Sequence, residues 1–388
     1  MKEKLKICHI ITRMIVGGAQ ENTLLTILDH LNKGHEVILI TGPSPGPEGE
    51  LLKNKEIPEF KTVINKHLIR NISPMSDMYA YLSLKKFLKE QKPDVVHTHS
   101  SKAGIIGRAA AWNAKVPFVC HTVHGQAFHR YEKAWKNFLY KSSERWAAKR
   151  CHQIYAVANA MIEQCLAAKI APADKYKTVY SGMELEDFLN SKPDCELRKK
   201  LQIPEKVPVV VTVARLFEFK GYEYLLEAAE EISKQFPETH FLIVGDGILM
   251  ETVREKAAQK GLKFVFAGLV PPSEVCRYIA LSDFMIHLSL REGLPRAIVQ
   301  SLASGKPAIG FNLDGTPEVI LHGKTGFIAE PENSSQVAEF AIRFLNDRNL
   351  CIRAGKSGQE LVKDQFGWQK MGNILEKEYL KGVNNSCR

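Results

Sequence analysis

The sequence predicts an α/β protein made of two doubly wound domains, and three observations support this prediction. Strand-like and helix-like segments alternate along the whole chain, which is typical of parallel sheets with helices on both faces. Several strand segments are near-continuous apolar runs, as expected where both faces of a sheet are covered. With 388 residues, the chain is long enough for two domains that each bury a core.

Predicted strands are spread over both halves of the chain. They cover residues 7–12, 36–41, 60–64, 95–99, 118–123, 153–157 and 178–180, then 209–213, 241–244, 264–266, 284–288 and 308–311. Helix patterns separate them, and a last helix at 368–380 follows two others without a strand between them. The proline-rich run 42–47 predicts a loop. The polar, proline-bounded segment 192–208 indicates a domain boundary there or slightly earlier.

Positive charge is concentrated in the first half. The net charge is +10, and residues 1–190 hold 27 Lys and Arg against 18 Asp and Glu, which is +9 and leaves +1 for the remainder. A basic half indicates an anionic partner, such as nucleic acid, a membrane surface or a phosphorylated acceptor. The plainer alternative is a soluble protein that is basic in general. Fractions of 25% charged and 45% hydrophobic residues are those of a globular protein.

Cysteine usage and the N-terminal segment indicate a cytoplasmic protein. The eight cysteines form no C-x-x-C pair and no zinc-ligand spacing with histidine, so reduced thiols are expected. The first apolar run stops at Arg13, short of the ~7–15 residues of a signal-peptide core. No run approaches the ~20 residues of a membrane-spanning helix. We expect a cytoplasmic protein. A further expectation is peripheral binding to the inner face of the membrane.

Acidic residues follow two predicted strands of the second half. Glu292, Gly293, Leu294 and Pro295 come between the strand at 284–288 and a helix pattern, and Glu318 follows the next strand. Open α/β sheets bind ligands at the carboxyl ends of their strands. Backbone N–H groups at a helix start favour anions. The carboxylates would instead suit sugar hydroxyls attached to a phosphorylated group.

Arg215 and Lys220 lie between the strand at 209–213 and the next helix. Two cations at a strand end beside a helix start suit a diphosphate. Fixed there, they would stabilise the negative charge that develops on a diphosphate leaving group. The alternative is a pair of solvated loop charges. Gly245 follows the next strand and predicts a turn at the wall of a nucleotide site.

The first half offers four further candidates. Gly17 and Gly18 open a helix after the first strand, where the backbone could approach a ligand closely, unless they form an ordinary tight turn. His124 ends another strand, and a neutral imidazole there could bond a donor hydroxyl, although a lone histidine is more often a packed or surface residue. Lys102 begins a helix and is a candidate contact for a phosphate or the acceptor.

A metal is not expected. His97 and His99 are two residues apart on a predicted strand and therefore point to the same face. No carboxylate or third histidine lies near them in the sequence, which argues against a metal site. No Asp-x-Asp motif occurs either, so a metal held by paired aspartates is not expected.

The segment with Glu292, Gly293 and Pro295 resembles the donor-site signature of retaining glycosyltransferase family 4, the group 1 glycosyltransferases with the GT-B fold. The family pattern places a second Glu where this chain has Gln300. The resemblance extends over nearly the whole chain. Its other matches are the cation pair after the strand at 209–213, the first glycine pair, the glycine after the strand at 241–244, and the histidine after the strand at 118–123.

The resemblance implies two facing Rossmann-like domains with parallel sheets. Residues 1–190 would form the acceptor-side domain, 191–365 the nucleotide-sugar domain, and 366–388 a helix that crosses back to the first domain. Glu292 would face the donor sugar, and position 300 would hold the ribose hydroxyls. Gln300 can accept one hydrogen bond and donate another, so the change bears on donor affinity more than on chemistry. Glu318 is a weaker match, because Asp314 stands where the family often has Gly.

These expectations combine in a retaining glycosyltransferase that uses a nucleotide sugar, preferably a UDP-sugar, with no cofactor and no metal. The expected acceptor is a glycan or lipid-linked saccharide of surface-polysaccharide assembly at an anionic membrane surface, and nucleic acid is not expected. One alternative is a UDP-sugar epimerase on the same fold. Another, suggested by Gln300, is a weakened or non-catalytic homologue that binds sugar nucleotides. An NAD dehydrogenase is disfavoured because no G-x-G-x-x-G fingerprint occurs.

Overall fold

The computed structural model describes residues 3–44, 51–53 and 57–386. They divide into two compact units, Met1–Met183 with Trp368–Arg388, and Glu184–Gly367. The sequence analysis placed the boundary at residue 190, and the structure divides after Met183. Part of the loop predicted at 42–47 lies outside the described residues.

Two parallel sheets carry the fold, one in each unit. The first has the strand order β3-β2-β1-β4-β5-β6-β7 and the second β10-β9-β8-β11-β12-β13. The strands are β1 Lys6–Ile11, β2 Glu36–Thr41, β3 Lys61–Ile64, β4 Val95–His99, β5 Phe118–Val123, β6 Gln153–Ala156, β7 Tyr176–Thr178, β8 Val209–Val213, β9 His240–Val244, β10 Phe264–Gly268, β11 Phe284–His287, β12 Ala308–Phe311 and β13 Gly326–Ala329. The predicted fold class of two doubly wound α/β domains is confirmed.

Helices connect the strands. They are α1 Gly18–Asn32, α2 Pro74–Gln91, α3 Ser101–Asn113, α4 Ala134–Ala148, α5 Asn159–Ala167, α6 Glu186–Leu189, α7 Cys195–Lys200, α8 Tyr222–Gln235, α9 Met250–Gln259, α10 Val275–Ala280, α11 Arg296–Ala303, α12 Ser334–Asn346, α13 Arg348–Gln365 and α14 Trp368–Ser386. Because crossovers between parallel strands are right-handed, the reversal at β1 and β4 puts α1 and α3 on opposite faces of the first sheet. Accordingly α3 packs beside α2 and α4, and α1 packs against α14.

Two strand predictions need correction. The strand predicted at 178–180 lies instead at β7, two residues earlier. Strand β13 was not predicted; it pairs in parallel with β12 at the edge of the second sheet. Its short apolar run begins with Gly326, whose position leaves no room for a side chain because a Cβ would lie 2.0 Å from the Ala308 carbonyl oxygen. A four-residue strand that begins with glycine is too weak a pattern to find from propensity.

The last helix, α14, belongs to the first unit and covers one face of its sheet. Tyr379 is fully buried, and its hydroxyl lies 2.5 Å from His97 Nδ1 on β4. Glu376 Oε1 lies 3.0 Å from His35 Nε2, and its other oxygen lies 3.0 Å from Lys33 Nζ beyond the end of α1. Gly372 permits close contact with α1, since a Cβ there would meet the Asp29 carboxylate at 2.0 Å. The helix is therefore held by both apolar and charged contacts.

Each unit buries its own apolar core. In the second unit, helices α8 and α12 pack together, and their apolar residues join those of the sheet in one buried cluster. In the first unit, α14 and strands β1, β4 and β5 contribute to one cluster, and α1 and β2 to another. Among the helices in the described ranges, none has the length and apolar content needed to cross a bilayer.

Candidate active site

The strand order of the second sheet reverses between β8 and β11, which are neighbours although the strands β9 and β10 lie between them in the sequence. Ligands of open α/β sheets bind beside such a reversal, outside the carboxyl ends of the strands. Arg215 and Lys220 follow β8, Glu292 follows β11, and Glu318 follows β12. The predicted groups of this unit therefore leave adjacent strands on the same edge of the sheet.

Two glycines let the loops at this edge approach one another closely. Gly245 follows β9 with φ 138°, and a Cβ there would lie 2.1 Å from the Ala214 carbonyl oxygen after β8. Gly221, at φ 73°, precedes α8, and a Cβ there would lie 2.0 Å from the Leu288 carbonyl oxygen after β11. Only glycine fits both the positive φ and the contact. The loops after β8, β9 and β11 are thereby packed into one rigid edge.

Lys220 and Glu292 meet at this edge. Lys220 Nζ lies 2.6 Å from Glu292 Oε1 and donates to Ser289 Oγ at 3.2 Å. His287 Nε2 lies 3.3 Å from the same carboxylate oxygen. The side chains of Lys220 and Glu292 are 23% and 19% exposed, so the pair is largely removed from water. The structure thus brings together the cation predicted for the diphosphate and the carboxylate predicted for the sugar.

The surroundings of Glu292 keep it ionised. Burial alone would raise the pKa of this carboxyl group, but the Lys220 ammonium and the His287 ring outweigh it and hold the pKa well below its usual range. Each of these partners favours the charged form. Glu292 is therefore a fixed negative charge that can accept hydrogen bonds and cannot supply a proton near neutral pH.

Asp314 orients the loop that carries Glu292. Its Oδ2 accepts the Glu292 backbone N–H at 2.7 Å, and the Gly315 N–H donates to the Gly293 carbonyl at 3.2 Å. Asp314 has φ 51°, a conformation that Asp tolerates better than most residues because its short side chain can bond the backbone locally. From the sequence, Asp314 was recognised only as a departure from the family pattern, and this contact was not predicted. Its position three residues after the end of the buried strand β12 was the signal that could have revealed this contact.

The remaining residues of this signature form the start of α11. Gly293, Leu294 and Pro295 are buried, and Pro295 is the residue that precedes the helix. Gln300 lies within α11 and is partly exposed, and its backbone carbonyl accepts the Ser304 N–H and hydroxyl. Glu318 ends a short 3₁₀ turn after β12 and is also partly exposed.

Arg215 is exposed and its guanidinium lies 5.2 Å from the centre of the Phe217 ring. It shares the loop with Lys220, and that loop is fixed by a hydrogen bond from the Leu216 N–H to the Asp246 carbonyl at 3.0 Å. Among the charges of this edge, Arg215 is thus the more accessible cation and Lys220 the more buried one.

In the first unit the glycine pair opens α1, as the sequence indicated. Gly17 precedes the helix with φ 172°, which is ordinary extended backbone, and Gly18 is the first helical residue. A Cβ at Gly17 would lie 2.8 Å from Gln20 Oε1, which is the end of a flexible side chain that can move aside, so neither the backbone angle nor this contact requires glycine there. The Glu21 N–H donates to the Gly17 carbonyl at 2.9 Å.

Lys102 contacts protein groups. Its ammonium lies 2.6 Å from Asp77 Oδ1 and donates to the Asn71 carbonyl. These contacts connect α3 to the first turn of α2 and the segment before it. The charge of Lys102 is therefore balanced within the unit, which favours a structural role over the predicted contact with a phosphate or acceptor.

His124 lies just past β5 and is half-buried, with its Nε2 3.1 Å from His99 Nδ1. The prediction that no third histidine lies near His97 and His99 holds along the sequence but is wrong in three dimensions. His9 on β1 pairs with His97 across the sheet, and nitrogens of His9, His97 and His99 all lie within 4.8 Å of one another. Sequence separation hid this contact, which only the β1–β4 pairing creates.

Two family models match the chain. The model for glycosyl transferases group 1 matches residues 194–361, and the model for glycosyltransferase family 4 matches residues 16–187. An Escherichia coli protein, UDP-Gal:alpha-D-GlcNAc-diphosphoundecaprenol alpha-1,3-galactosyltransferase, is 31% identical over 386 residues and is covered to 98%, as is this chain. A Mycobacterium tuberculosis GDP-mannose-dependent alpha-(1-6)-phosphatidylinositol monomannoside mannosyltransferase is 30% identical over 229 residues, 56% of this chain and 58% of its own length.

Solved structures show the same fold at low identity. HepE from Anabaena, crystallised with UDP and glucose, superposes with a TM-score of 0.81 at 18% identity, over 97% of this chain and 100% of its own. Sucrose-phosphate synthase from Thermosynechococcus elongatus gives 0.80 at 17% identity, over 98% and 100%. Both units match their family models, and the E. coli relative matches nearly end to end, so this chain is a glycosyltransferase of family 4, in the group 1 glycosyltransferases, with the GT-B fold.

Proposed function

We propose that the enzyme transfers a hexosyl group from a UDP-sugar to a hydroxyl of a lipid-diphosphate-linked saccharide, with retention at the anomeric carbon and without a metal. The observation that carries this proposal is the Lys220–Glu292 pair beside the reversal of the second sheet. It places a cation and a permanently charged carboxylate side by side. A sugar diphosphate needs both, a cation for its phosphates and a hydrogen-bond acceptor for its hydroxyls.

Arg215 and Lys220 would act on the leaving group. As the bond between sugar and diphosphate breaks, negative charge builds up on the diphosphate, and fixed cations stabilise that charge more in the transition state than in the ground state. Lys220 is held by Glu292 and Ser289, so little reorganisation would be needed when it meets a phosphate oxygen. The more exposed Arg215 could add a bidentate contact.

Glu292 and His124 would orient the sugar. An ionised carboxylate accepts hydroxyl hydrogen bonds well, and the pKa of Glu292 is held low by its partners once burial is outweighed. Glu292 therefore cannot serve as a general acid near neutral pH. The proton of the attacking hydroxyl would instead pass to an oxygen of the departing phosphate, which is the front-face course usual for the family.

The name of one relative supports a uridine nucleotide as the donor, whereas the name of the other contains a guanosine nucleotide. UDP-Gal is the donor in the name of the E. coli relative, and GDP-mannose in that of the mycobacterial one. Thermal-shift measurements with UDP-galactose, UDP-glucose, UDP-N-acetylglucosamine and GDP-mannose would separate them, because a bound donor stabilises the fold by mass action. Stabilisation by GDP-mannose alone would contradict the uridine assignment.

Activity that survives a metal chelator would support metal independence, and loss of activity would contradict it.

The surface of the first unit supports a membrane-bound acceptor. On α4 the side chains of Trp135, Phe138, Leu139 and Trp146 recur at helical spacing, and all are exposed; we call them the α4 stripe. Basic residues alternate with the stripe along the same stretch of sequence: Lys133, Lys136, Lys141, Arg145 and Lys149. Aromatic side chains beside Lys and Arg favour the interface of an anionic bilayer. We infer peripheral binding to the inner face of the membrane.

A UDP-sugar epimerase remains the alternative on the same fold. The two activities differ in what releases UDP. A transferase should release UDP in proportion to glycosylated acceptor, and the configuration of the new linkage, read by NMR, should match that of the donor. An epimerase would convert the sugar without any acceptor. A protein that binds the donor but does neither would be the non-catalytic homologue that Gln300 suggested.

We predict that Arg215→Ala and Lys220→Ala each lower kcat/KM by at least about tenfold, or ~1.4 kcal/mol of transition-state stabilisation. The reason is loss of a fixed charge at the leaving diphosphate. Lys234→Ala, at an exposed position on α8, is the matched control and should leave turnover unchanged. Near-normal turnover in both site variants would exclude a role for the two cations at the leaving diphosphate.

The Lys220–Glu292 pair predicts a pH-dependent difference in thermal stability between wild type and Glu292→Gln. The pKa of Glu292 is depressed in the folded state, so its stabilisation is complete above the ordinary Glu pKa of ~4.3 and is lost as the pH falls towards the folded value. The difference in Tm should be largest near neutral pH and shrink below about pH 4.3. Glu251→Gln, an exposed glutamate on α9, should show little difference throughout. A difference for Glu292→Gln that does not change with pH would contradict the assignment.

Gln300→Glu should preserve turnover and lower the donor KM. A carboxylate can accept hydrogen bonds from both ribose hydroxyls, whereas the amide accepts only through its carbonyl oxygen. Initial-rate kinetics with varied donor would measure the change. Gln259→Glu on α9, which is exposed, controls for the added charge. A folded Gln300→Glu enzyme that no longer binds the donor would show that Gln300 has another role.

Binding to vesicles that contain anionic lipid should weaken sharply from low to high salt, because exposed charges are screened within ~8–10 Å at 0.1–0.15 M ionic strength. Replacing Trp135 and Phe138 together by Gln should weaken it further, by roughly tenfold, at either salt concentration. The matched control is the replacement of Leu269 and Ile352 together by Gln, since both are exposed apolar residues of the second unit. A full-length protein that ignores anionic vesicles at low salt would favour a soluble phosphorylated acceptor.

A further inference from the structure

We propose that His99 is a positioning residue for His124, and that a directional hydrogen-bonded chain, His9–His99–His124, fixes both the orientation and the tautomer of the His124 ring. The inference rests on the proposed function only for the role of His124 at the sugar. The chain itself is a feature of the first unit. It lies among buried polar side chains that the reaction proposed above does not use.

The sheet brings the three residues together from distant parts of the sequence. His9 is on β1, His99 is on the neighbouring strand β4, and His124 follows β5, which pairs with β4 on its other side. His9 and His99 are completely buried. The chain thus runs from the interior of the sheet towards the half-buried His124 at the carboxyl end of β5.

The distances describe two successive hydrogen bonds. His9 Nδ1 lies 3.1 Å from His99 Nε2, and His99 Nδ1 lies 3.1 Å from His124 Nε2. The His9 and His99 rings are stacked, with centres 5.3 Å apart and planes at 20°. His99 uses both nitrogens, so it can neither rotate nor change tautomer without disturbing both neighbours.

The two inner rings are neutral. Burial lowers the pKa of His9 to about 3. Burial also lowers the pKa of His99 well below its usual value, and the neighbouring His97 and His9 act in the same direction. A neutral imidazole has one N–H and one bare nitrogen. His99, which has a partner at each nitrogen, must then donate on one side and accept on the other, which gives the chain a direction.

The inner end of the chain indicates which direction it takes. Within the described part of the chain, His9 Nε2 is buried and has no hydrogen-bond partner. A buried N–H without an acceptor is the costlier form, so the His9 proton belongs on Nδ1. His9 then donates to His99 Nε2, and His99 donates from Nδ1 to His124 Nε2. His124 is left with its proton on Nδ1, so that Nδ1 is the donor nitrogen of its ring.

A buried metal would be the competing explanation, because nitrogens of His9, His97 and His99 lie within 4.8 Å of one another. The contacts of His97 argue against it. Its Nδ1 lies 2.5 Å from the Tyr379 hydroxyl and its Nε2 lies 2.7 Å from Thr122 Oγ1, so both nitrogens are engaged with hydroxyl groups. The His97 ring packs beside His99 with centres 4.1 Å apart, but its hydrogen bonds go to Tyr379 and Thr122 and not to the chain.

Imidazole ¹⁵N–¹H NMR of the full-length protein tests the tautomer directly. In wild type, the His124 signals should be those of the Nδ1–H form. His99→Leu removes the donor and should shift His124 towards the Nε2–H form. His99→Asn places an amide near the former Nδ1 and should retain the wild-type signals. His97→Asn is the matched control at an equally buried position, and it should leave His124 unchanged.

Kinetics tests the consequence for the reaction. His99→Leu should lower kcat/KM by roughly tenfold, because a catalytic group that loses its orientation is misplaced for reaction. His99→Asn should restore most of the rate. The double variant with His124→Ala should be no worse than His124→Ala alone, since residues acting through one another are not additive. If circular dichroism shows that His99→Leu does not fold, the rate of His99→Asn and the His124 tautomer in the wild-type NMR spectrum still test the proposal.

Three results would overturn the proposal. These are an Nε2–H form of His124 in wild type, an unchanged His124 spectrum in both His99 variants, or stoichiometric zinc binding that His9→Asn abolishes. Failure of the proposed function gives a different pattern. In that case His124→Ala would keep full activity, whereas the NMR spectra would still show the chain.

Discussion

The order of strands in the two sheets determines where chemistry can occur in this protein. Each sheet reverses its direction of growth once, between β1 and β4 in the first unit and between β8 and β11 in the second. On either side of a reversal the following helices go to opposite faces, so the loops part and leave a crevice at the strand ends. Lys220 and Glu292 lie at one reversal. The histidine chain crosses from β1 to β4 at the other.

Charge at the second reversal is arranged so that neither partner is isolated. Burial of a lone carboxylate would favour its neutral form, and burial of a lone ammonium would do the same. Together, Lys220 and Glu292 remain ionised at low exposure, with Ser289 and His287 satisfying further hydrogen bonds. The polar groups are therefore in place before any diphosphate arrives. That is the condition under which electrostatic stabilisation of a transition state costs least reorganisation.

The sequence was sufficient for most of the fold because the strands are buried on both faces and form long apolar runs. It failed at β13, which is short and begins with glycine, and it placed β7 two residues too late. For the site, motifs identified Lys220 and Glu292 separately but could not show that they touch, since 72 residues separate them. His9 was missed for the same reason. Contacts across a sheet depend on strand order, and no local pattern encodes it.

The position of α14 has a consequence for how the protein is made. The first unit comprises the N-terminal segment together with a helix that the ribosome produces only after the whole second unit. Until then the face of the first sheet that Tyr379 covers stays open, and His97 beneath it is accessible to water. Domains usually fold in order of synthesis, but here the earlier one cannot be completed first. The nascent chain would present an unfinished apolar surface throughout most of translation, which is the kind of surface that chaperones bind.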